Sequence, residues 1–240
     1  MPYIKQTIRA GKTIEVHKHY SARYGKGTQG RNKHQNKTSE KAAEVNRQQA
    51  IKKLRGLLNA NFVDGDIHAV FTYAKDKRPS DSAEAKKEYS KLLRELKKAF
   101  AKANKEFKYV SATEYKNKAI HHHFVLPNID VNLLRKAWKN GKVLITVLDT
   151  DGQYGNLAEY FVKETEKTAK ERDGLYKKRW NASQNLTKPI IITEIINARA
   201  FRAEPKAIKG YRLWKEKGCN FNSVDEYGLL RQSYIMVRLE

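Results

Sequence analysis

Residues 107–126 read FKYVSATEYKNKAIHHHFVL, two runs rich in aromatic and β-branched residues with a short polar stretch between them. The runs over 107–115 and 120–126 have the length and composition of β-strands, and residues 116–119 supply the link. The sequence therefore predicts a β-hairpin. The elements on either side of this hairpin decide the fold.

The predicted elements around the hairpin alternate between strands and helices. A buried strand is predicted over 67–73, and an amphipathic helix begins at Asp81 and continues through Phe100. Beyond the hairpin we predict, in order, a short helix over 130–138, a strand over 143–148 and a helix over 156–171. The order β-α-β-β-α-β-α predicts an α+β fold of the ferredoxin or RRM-like type, with a central antiparallel sheet and helices on one face.

Two extensions flank this predicted core. We divide the chain into a basic N-terminal flank, a core, and a β-rich C-terminal extension packing on the core, over residues 1–60, 61–172 and 173–240. The flank contains a predicted hairpin, a basic loop and a helix, over 3–20, 21–39 and Ser39 to about Leu58. The C-terminal strands, predicted over 189–196 and 232–238, either extend the central sheet or pair with the N-terminal hairpin.

The charge of the chain is strongly positive. Its 240 residues include 49 Lys and Arg against 26 Asp and Glu, a net charge of +23. A compact chain with this charge repels itself unless a polyanion shares its surface, so a nucleic-acid partner is expected. Residues 1–60 are the densest segment, and the alternative there is a solvated basic face. The candidate DNA contacts are Arg9, Lys12, Arg23, Lys26, Arg31, Lys33 and Lys37.

The apolar content and the cysteine count restrict the class of protein. The single cysteine, Cys219, excludes an intramolecular disulfide. No apolar run approaches the roughly 18 residues that span a bilayer, and the N-terminus lacks the apolar stretch of a signal peptide. These features predict a soluble intracellular protein.

Three consecutive histidines lie in the second strand of the central hairpin. Because side chains alternate along a strand, His121 and His123 share one face, while His122 points to the apolar face with its neighbours. Two imidazoles at this spacing can bind one metal ion. Glu114 faces the same way if the link between the strands has two or four residues, and a three-residue link would turn it away.

A second His-x-His pair gives the alternative interpretation of this motif. His17 and His19 have the same spacing within the basic N-terminal hairpin, and an isolated pair of this kind is more often packed or exposed than metal-binding. The pair at 121 and 123 differs because apolar residues on both sides fix it on a rigid core strand.

A tyrosine and a lysine share one face of the last predicted core helix. Tyr160 and Lys163 are three positions apart, which makes them neighbours on a helix. A phenol with a pKa of about 10 becomes a nucleophile at neutral pH only if a base removes its proton or a cation stabilises its phenolate. The alternative is that Tyr160 packs against the sheet and Lys163 is solvated.

The order of these motifs carries a family resemblance. A strand ending in Val70-Phe-Thr-Tyr73, then His-x-His preceded by an acid, then Tyr-x-x-Lys on a helix resembles the rolling-circle replication initiators of the HUH endonuclease superfamily, over about residues 61–170. The likeness is greatest to replication-associated proteins of small phages and plasmids. One departure is His122, which stands between the two ligand histidines where the family favours a hydrophobic residue.

The resemblance implies an HUH endonuclease fold and an activity. Tyr160 would attack single-stranded origin DNA to give a 5′-phosphotyrosine, and Lys163 would orient the metal-bound water or stabilise the phenolate. The implied ligands of Mg²⁺ or Mn²⁺ are His121, His123 and Glu114. The implied partners are single-stranded or hairpin origin DNA and a separate helicase and polymerase, in the cytoplasm or nucleoid of a bacterial host.

A nucleotide cofactor is not expected. Gly11-Lys12-Thr13 ends like a phosphate-binding loop, but position 6 is Gln where that motif needs Gly, and the residues that follow are strand-like rather than helical.

Two other functions share these features. A single-tyrosine HUH transposase or relaxase-like strand transferase would use the same kind of motifs. A basic nucleic-acid-binding module of RRM-like topology would share the element order without catalysis, although the aromatic consensus of that module is not evident over 107–115.

Overall fold

The fold is described from a computed structural model of the 240-residue chain. The structure describes residues 1–26, 40–116, 119–171, 179–197, 201–216, 221–224 and 228–239. Its α-helices are α1 (Glu40–Asn61), α2 (Ser82–Lys102), α3 (Val131–Ala137) and α4 (Gly155–Glu171). Its strands are β1 (Tyr3–Ala10), β2 (Thr13–Tyr20), β3 (Ile67–Thr72), β4 (Val110–Lys116), β5 (Ala119–Leu126), β6 (Val143–Val147), β7 (Asn181–Ala182), β8 (Ile190–Ile195), β9 (Tyr211–Leu213), β10 (Phe221–Val224) and β11 (Leu230–Arg238).

The chain divides into two compact units. The central unit comprises Asn61–Thr187, and the flanking unit comprises Met1–Ala60 together with Lys188–Glu240. This division differs from the three segments predicted from the sequence, because the two ends of the chain form one unit.

The central unit has the predicted α+β architecture. Over its described residues, the sheet has five antiparallel strands in the order β6-β3-β5-β4-β7. Along the chain, the elements β3 to α4 follow the predicted order β-α-β-β-α-β-α. The topology fits an RRM-like fold. The predicted strand over 107–115 begins later, at Val110, while Phe107 and Tyr109 pack against the core without joining the ladder.

The core of the central unit lies between one sheet face and two helices. Alternate side chains of β3 and β5, including Phe71 and Phe124, contact Leu96 and Phe100 of α2 and Leu134 of α3. Helix α4 packs on the opposite face, where Phe161 meets imidazole rings of β3 and β5. The expectation of helices on one face therefore holds for α2 and α3 but not for α4.

The start of helix α2 is fixed by reciprocal capping. Asp81 accepts a hydrogen bond from the backbone N–H of Glu84, and the Glu84 carboxylate accepts one from the backbone N–H of Ser80. Two amide groups that have no partner inside the helix are thereby satisfied. The prediction that the helix begins at Asp81 is confirmed.

Trp138 and Gly141 both contact the backbone at the end of β3. The indole Nε1 of Trp138 donates to the carbonyl oxygen of Thr72 at 2.7 Å. A Cβ at position 141 would lie 2.0 Å from the same oxygen, so only glycine allows the chain to pass here. This contact sets the connection into β6 beside β3.

The flanking unit is built around the N-terminal hairpin. The strand order is β10-β11-β2-β1-β8, with β9 pairing on β11. The sequence left two arrangements open for the C-terminal strands, and in the structure they pair with the N-terminal hairpin. Strand β8 pairs with β1, and β11 pairs with β2. Both free edges of the hairpin are thereby covered, which satisfies their backbone hydrogen-bonding groups.

Helix α1 contacts the N-terminal hairpin through polar and close backbone contacts. Arg55 forms an ion pair with the buried Glu15, and Asn59 donates to the hydroxyl of Thr13 at 3.0 Å. Gly11 lies at the hairpin turn with φ +55°, where a Cβ would be 2.0 Å from the carbonyl oxygen of Asn59. Gly11 is therefore required for its conformation and for the close approach of α1.

Among the residues that the structure describes, no helix is both long enough and apolar enough to cross a bilayer.

Candidate active site

The pairing of β4 with β5 determines which side chains meet on the α4 side of the sheet. Glu114 is the register partner of His121, and Ala112 is that of His123. The last pair is Lys116 with Ala119, so the condition of an even link is met. Because paired residues share a face, Glu114 and the two histidines at 121 and 123 project together.

Glu114, His121 and His123 form a compact group of potential metal ligands. One ligand atom from each lies within 4.8 Å of the others. His123 Nε2 is 2.8 Å from Glu114 Oε2, and both side chains are buried, whereas His121 is partly exposed. The group is therefore buried on the side of Glu114 and His123 and open to solvent on the side of His121. A site that must receive a substrate requires such an opening.

His122 faces the other way, as the alternation predicts. Its ring is fully buried in the core, where Nε2 is 3.0 Å from the Tyr73 hydroxyl and Nδ1 is 3.1 Å from the Thr113 hydroxyl. Burial, with smaller effects of His123 and His121, lowers the pKa of His122 to about 3. The ring is therefore neutral at physiological pH and points away from the group of potential metal ligands.

Tyr160 of α4 reaches the same group. Its hydroxyl donates to Glu114 Oε2 at 2.9 Å, and its ring meets that of His123 edge to face, with centroids 5.5 Å apart. Burial first, then the hydrogen bond and charge of Glu114 and the charge of Glu164, raise the pKa of the phenol. The nucleophile predicted from the sequence is thus beside the predicted ligands and is protonated.

Two further side chains lie on α4 or just before it. Lys163 is exposed on α4. Tyr154, just before α4, is buried and donates to Asp64 Oδ1 at 3.1 Å; burial, then Asp64, raises its pKa. Asp64 also accepts a hydrogen bond from the backbone N–H of Thr150 at 3.1 Å. The hydroxyl of Tyr154 therefore helps to hold the loop before α4.

His68 is a member of the site that the sequence analysis missed. It lies on β3, on the sheet face of His123, and its Nε2 is 3.1 Å from His123 Nδ1. Burial, then the charge of His123, lowers the pKa of His68 to about 3, although Glu114 opposes the shift. A single histidine in an apolar strand forms no recognisable motif. The available signal was the alternation of side chains along the strand, which puts His68 on the face opposite the apolar one.

The second His-x-His pair has a different environment. His17 contacts the Ser233 hydroxyl through Nδ1 and the buried carboxylate of Glu15 through Nε2. Burial lowers the pKa of His17 more than the contact with Glu15 raises it. Within the described residues, the potential metal-binding group is the one at Glu114, and His17 is packed inside the flanking unit.

The predicted DNA-contacting residues are described in part. Arg9, Arg23 and Lys26 are exposed, and Lys12 is partly exposed. The other three candidates, Arg31, Lys33 and Lys37, lie outside the described residues, as does Ser39, the predicted helix cap.

The ligand group fits a divalent cation. Two imidazoles and a carboxylate supply nitrogen and oxygen donors in the combination that Mn²⁺ and other borderline metals accept, and Mg²⁺ needs the carboxylate with water. The carboxylate of Glu114, buried beside these rings, also favours a cation.

The comparison with known families gives a match over the central unit. Residues 66–169 match the family model for Replication-associated protein ORF2/G2P. The resemblance to rolling-circle replication initiators, predicted from the motif order, is confirmed over this segment. The match supports a role in rolling-circle DNA replication and implies DNA binding. No curated protein and no solved structure matches the chain.

Proposed function

We propose that the protein nicks and rejoins single-stranded origin DNA to initiate rolling-circle replication, with Tyr160 as the nucleophile. The observation that carries this proposal is the hydrogen bond from the Tyr160 hydroxyl to Glu114 Oε2, inside a group that also contains His121 and His123. The family match over residues 66–169 supports the replication role of the same segment.

The proposed reaction exchanges one phosphodiester for another. A bond forms between the Tyr160 oxygen and phosphorus as the bond from phosphorus to the 3′ oxygen breaks. Glu114 Oε2 is a hydrogen-bond acceptor for the phenolic proton, and the net result is a 5′-phosphotyrosine and a DNA 3′-hydroxyl that carries the proton. Since the number of ester bonds is unchanged, the reverse reaction rejoins a strand without ATP.

A divalent cation held by Glu114, His121 and His123 would neutralise the charge that develops on the phosphoryl oxygens. The carboxylate of Glu114 holds the phenol of Tyr160 against this group, which orients the nucleophile before DNA binds. Lys163, exposed on the same helix, would add a positive charge that favours the phenolate.

The exposed cations Arg9, Arg23 and Lys26, with Lys12, would hold origin DNA through its phosphates. A helicase and a polymerase would be separate proteins, and the replicon would be a phage or plasmid of a bacterial host.

A covalent-adduct assay tests the proposal. Purified protein is mixed with single-stranded DNA carrying a hairpin and with Mn²⁺, and denaturing gels detect protein joined to DNA. We expect an adduct with the wild type and none with Tyr160→Phe, which removes one oxygen and keeps the ring. Binding of the same DNA, measured without Mn²⁺, should change less than about threefold because the phenol provides little of the phosphate contact.

The chain supplies a matched control for this assay. Tyr115 is also followed by a lysine three positions later, Lys118, but it faces the core of the central unit rather than the ligand group. Tyr115→Phe should retain the adduct. Adduct formation by Tyr160→Phe would refute the assignment of the nucleophile, and a wild type that binds DNA without forming an adduct would favour the non-catalytic alternative.

A further inference from the structure

His68 contacts the side of His123 that faces away from the ligand group. The distance from His68 Nε2 to His123 Nδ1 is 3.1 Å, and the two rings are stacked with centroids 5.3 Å apart. The His68 ring also packs against Phe161 of α4, at 5.5 Å between centroids. His68 is therefore held from two sides, by the sheet and by the helix that carries Tyr160.

The two nitrogens of His123 have different neighbours. Nε2 is 2.8 Å from Glu114 Oε2, and Nδ1 is 3.1 Å from His68 Nε2. A neutral imidazole carries one proton, so one of its nitrogens donates and the other accepts. If Nε2 binds a cation shared with Glu114, Nε2 must supply its lone pair, and the proton must be on Nδ1.

We propose that His68 is a positioning residue that accepts a hydrogen bond from His123 Nδ1–H and so holds His123 Nε2 ready to bind a divalent cation with Glu114. The proposal rests on the proposed function only in requiring a cation at Glu114, His121 and His123. A partner for the second nitrogen of a ligand histidine fixes its tautomer and its ring orientation, and losing such a partner commonly costs 10- to 100-fold in metal affinity.

The proposed proton arrangement also determines the tautomer of His68. Its Nε2 must be the acceptor, so its own proton lies on Nδ1. In the absence of a cation, the arrangement that suits the Glu114 carboxylate is the reverse, with a proton on His123 Nε2 and His68 Nε2 as donor. Cation binding would therefore exchange donor and acceptor between the two histidines without changing the charge of either ring.

Two substitutions separate the hydrogen bond from the packing of the ring. His68→Phe keeps a flat ring against His123 and Phe161 but removes the acceptor, and His68→Gln keeps an acceptor. Mn²⁺ affinity is measured without DNA from the electron paramagnetic resonance signal of free Mn²⁺. We expect His68→Phe to bind Mn²⁺ about 10- to 100-fold more weakly than the wild type and His68→Gln to stay within about threefold.

His19→Phe is the control for losing a histidine, since His19 lies in the flanking unit. It should leave Mn²⁺ affinity unchanged. Wild-type affinity in His68→Phe, or equal weakening in both His68 variants, would overturn the proposal.

Nuclear magnetic resonance of the wild type provides a test that needs no variant. With Mg²⁺ or Zn²⁺ bound, ¹⁵N shifts of the imidazoles should give a proton on Nδ1 of both His68 and His123. A proton on His68 Nε2 in the metal-bound protein would overturn the proposal. These measurements use neither DNA nor Tyr160, so the nicking function can fail in the adduct assay while the role of His68 stands, and the reverse also holds.

Discussion

The histidines at positions 121, 122 and 123 meet different surroundings because successive side chains of β5 point to opposite faces of the sheet. His122 lies fully buried between the hydroxyl groups of Tyr73 and Thr113, whereas His121 is partly exposed in the ligand group. The substitution of each by alanine should therefore affect a different property. At 122 the loss is in stability, and at 121 it is in metal binding.

We expect His122→Ala to lower the free energy of unfolding by about 3 kcal/mol, because it leaves a cavity and removes a partner from two buried hydroxyl groups. His121→Ala should lower it by less than about 1 kcal/mol but reduce Mn²⁺ affinity at least tenfold, since one of the three proposed ligands is lost. Urea unfolding and Mn²⁺ titration measure the two effects. If one of these two variants lost both stability and Mn²⁺ affinity while the other kept both, this assignment would be wrong.

The sequence predicted these positions because side-chain alternation in a strand has a period of two residues. Parity alone separated His121 and His123 from His122, and it placed Glu114 correctly once the link was even. His68 could not be assigned in the same way. Its contact with His123 depends on the register between β3 and β5, which are separated along the chain by α2 and β4.

At the scale of elements, the N-terminal hairpin and α1 come into close backbone contact at Gly11. Its φ of +55° is unfavourable for other residues, and a Cβ would meet the carbonyl oxygen of Asn59 at 2.0 Å. Gly25 has a similar φ of +75° but nothing within 4 Å of the added atom. A substitution at Gly25 would therefore cause backbone strain alone, whereas one at Gly11 would cause backbone strain and steric overlap.

We expect Gly11→Ala to destabilise the protein by about 3 kcal/mol or more, and Gly25→Ala by about 1 kcal/mol, since only the first adds an overlap to the strain. Thermal unfolding followed by circular dichroism compares the two variants with the wild type. Equal losses of stability would show that α1 does not approach the turn in solution as it does in the structure.

A buried ion pair between β2 and α1 makes the flanking unit sensitive to acid. Burial of Glu15 raises its pKa, but the more numerous opposing effects of Arg55 and His17 lower it from 4.5 to about 2. A carboxylate with a lowered pKa stabilises the fold above its unfolded pKa, and this stability is lost as the pH falls from about 4.5 towards 2. The contribution is roughly 3 kcal/mol.

Glu15→Gln should therefore be less stable than the wild type at pH 6, and the difference should shrink as the pH falls below about 4.5. Urea unfolding at a series of pH values measures this difference. Glu40→Gln, at an exposed position at the start of α1, is the control and should differ little from the wild type at any of these values. A difference for Glu15→Gln that does not depend on pH would rule out the ion pair as its cause.

Element boundaries followed from the sequence more closely than element partners did. Capping by Asp81 and strand-like runs over 189–196 and 232–238 were visible in local residues, and the structure has strands over Ile190–Ile195 and Leu230–Arg238. The pairing of β8 with β1 and of β11 with β2 was left open, because hydrogen bonds between strand backbones carry no sequence signal. The side of the sheet taken by α4 was also not predictable, because the face opposite the core carries polar residues such as Glu114 and His123, whose burial the sequence pattern does not reveal.

For the whole molecule, the net charge of +23 raises the question of whether DNA binding depends on total charge or on particular cations. Each phosphate contact releases counterions, so the number of contacts determines how steeply affinity falls with salt. Total charge acts differently, because it changes long-range attraction without removing a defined contact. Two sets of substitutions that remove equal charge can separate these effects.

The first set replaces the four described candidates of the N-terminal flank with alanine: Arg9, Lys12, Arg23 and Lys26. The second set replaces four exposed cations of α2, which lies on the sheet face opposite Tyr160: Lys86, Lys87, Arg94 and Lys97. We expect the first set to reduce the slope of log affinity against log salt by up to about 3 for single-stranded DNA, since each lost contact contributes about 0.7.

The second set should reduce affinity at low salt but change the slope by less than about 1, because these cations stand away from the proposed site. Fluorescence anisotropy with labelled hairpin DNA, over a range of salt concentrations, gives both quantities. Equal slopes for the two sets would mean that the flank provides charge without defined phosphate contacts, and the proposed grip by residues 1–26 would be wrong. The Tyr160 adduct should still form in the first set once DNA is saturating, because the substitutions leave the ligand group intact.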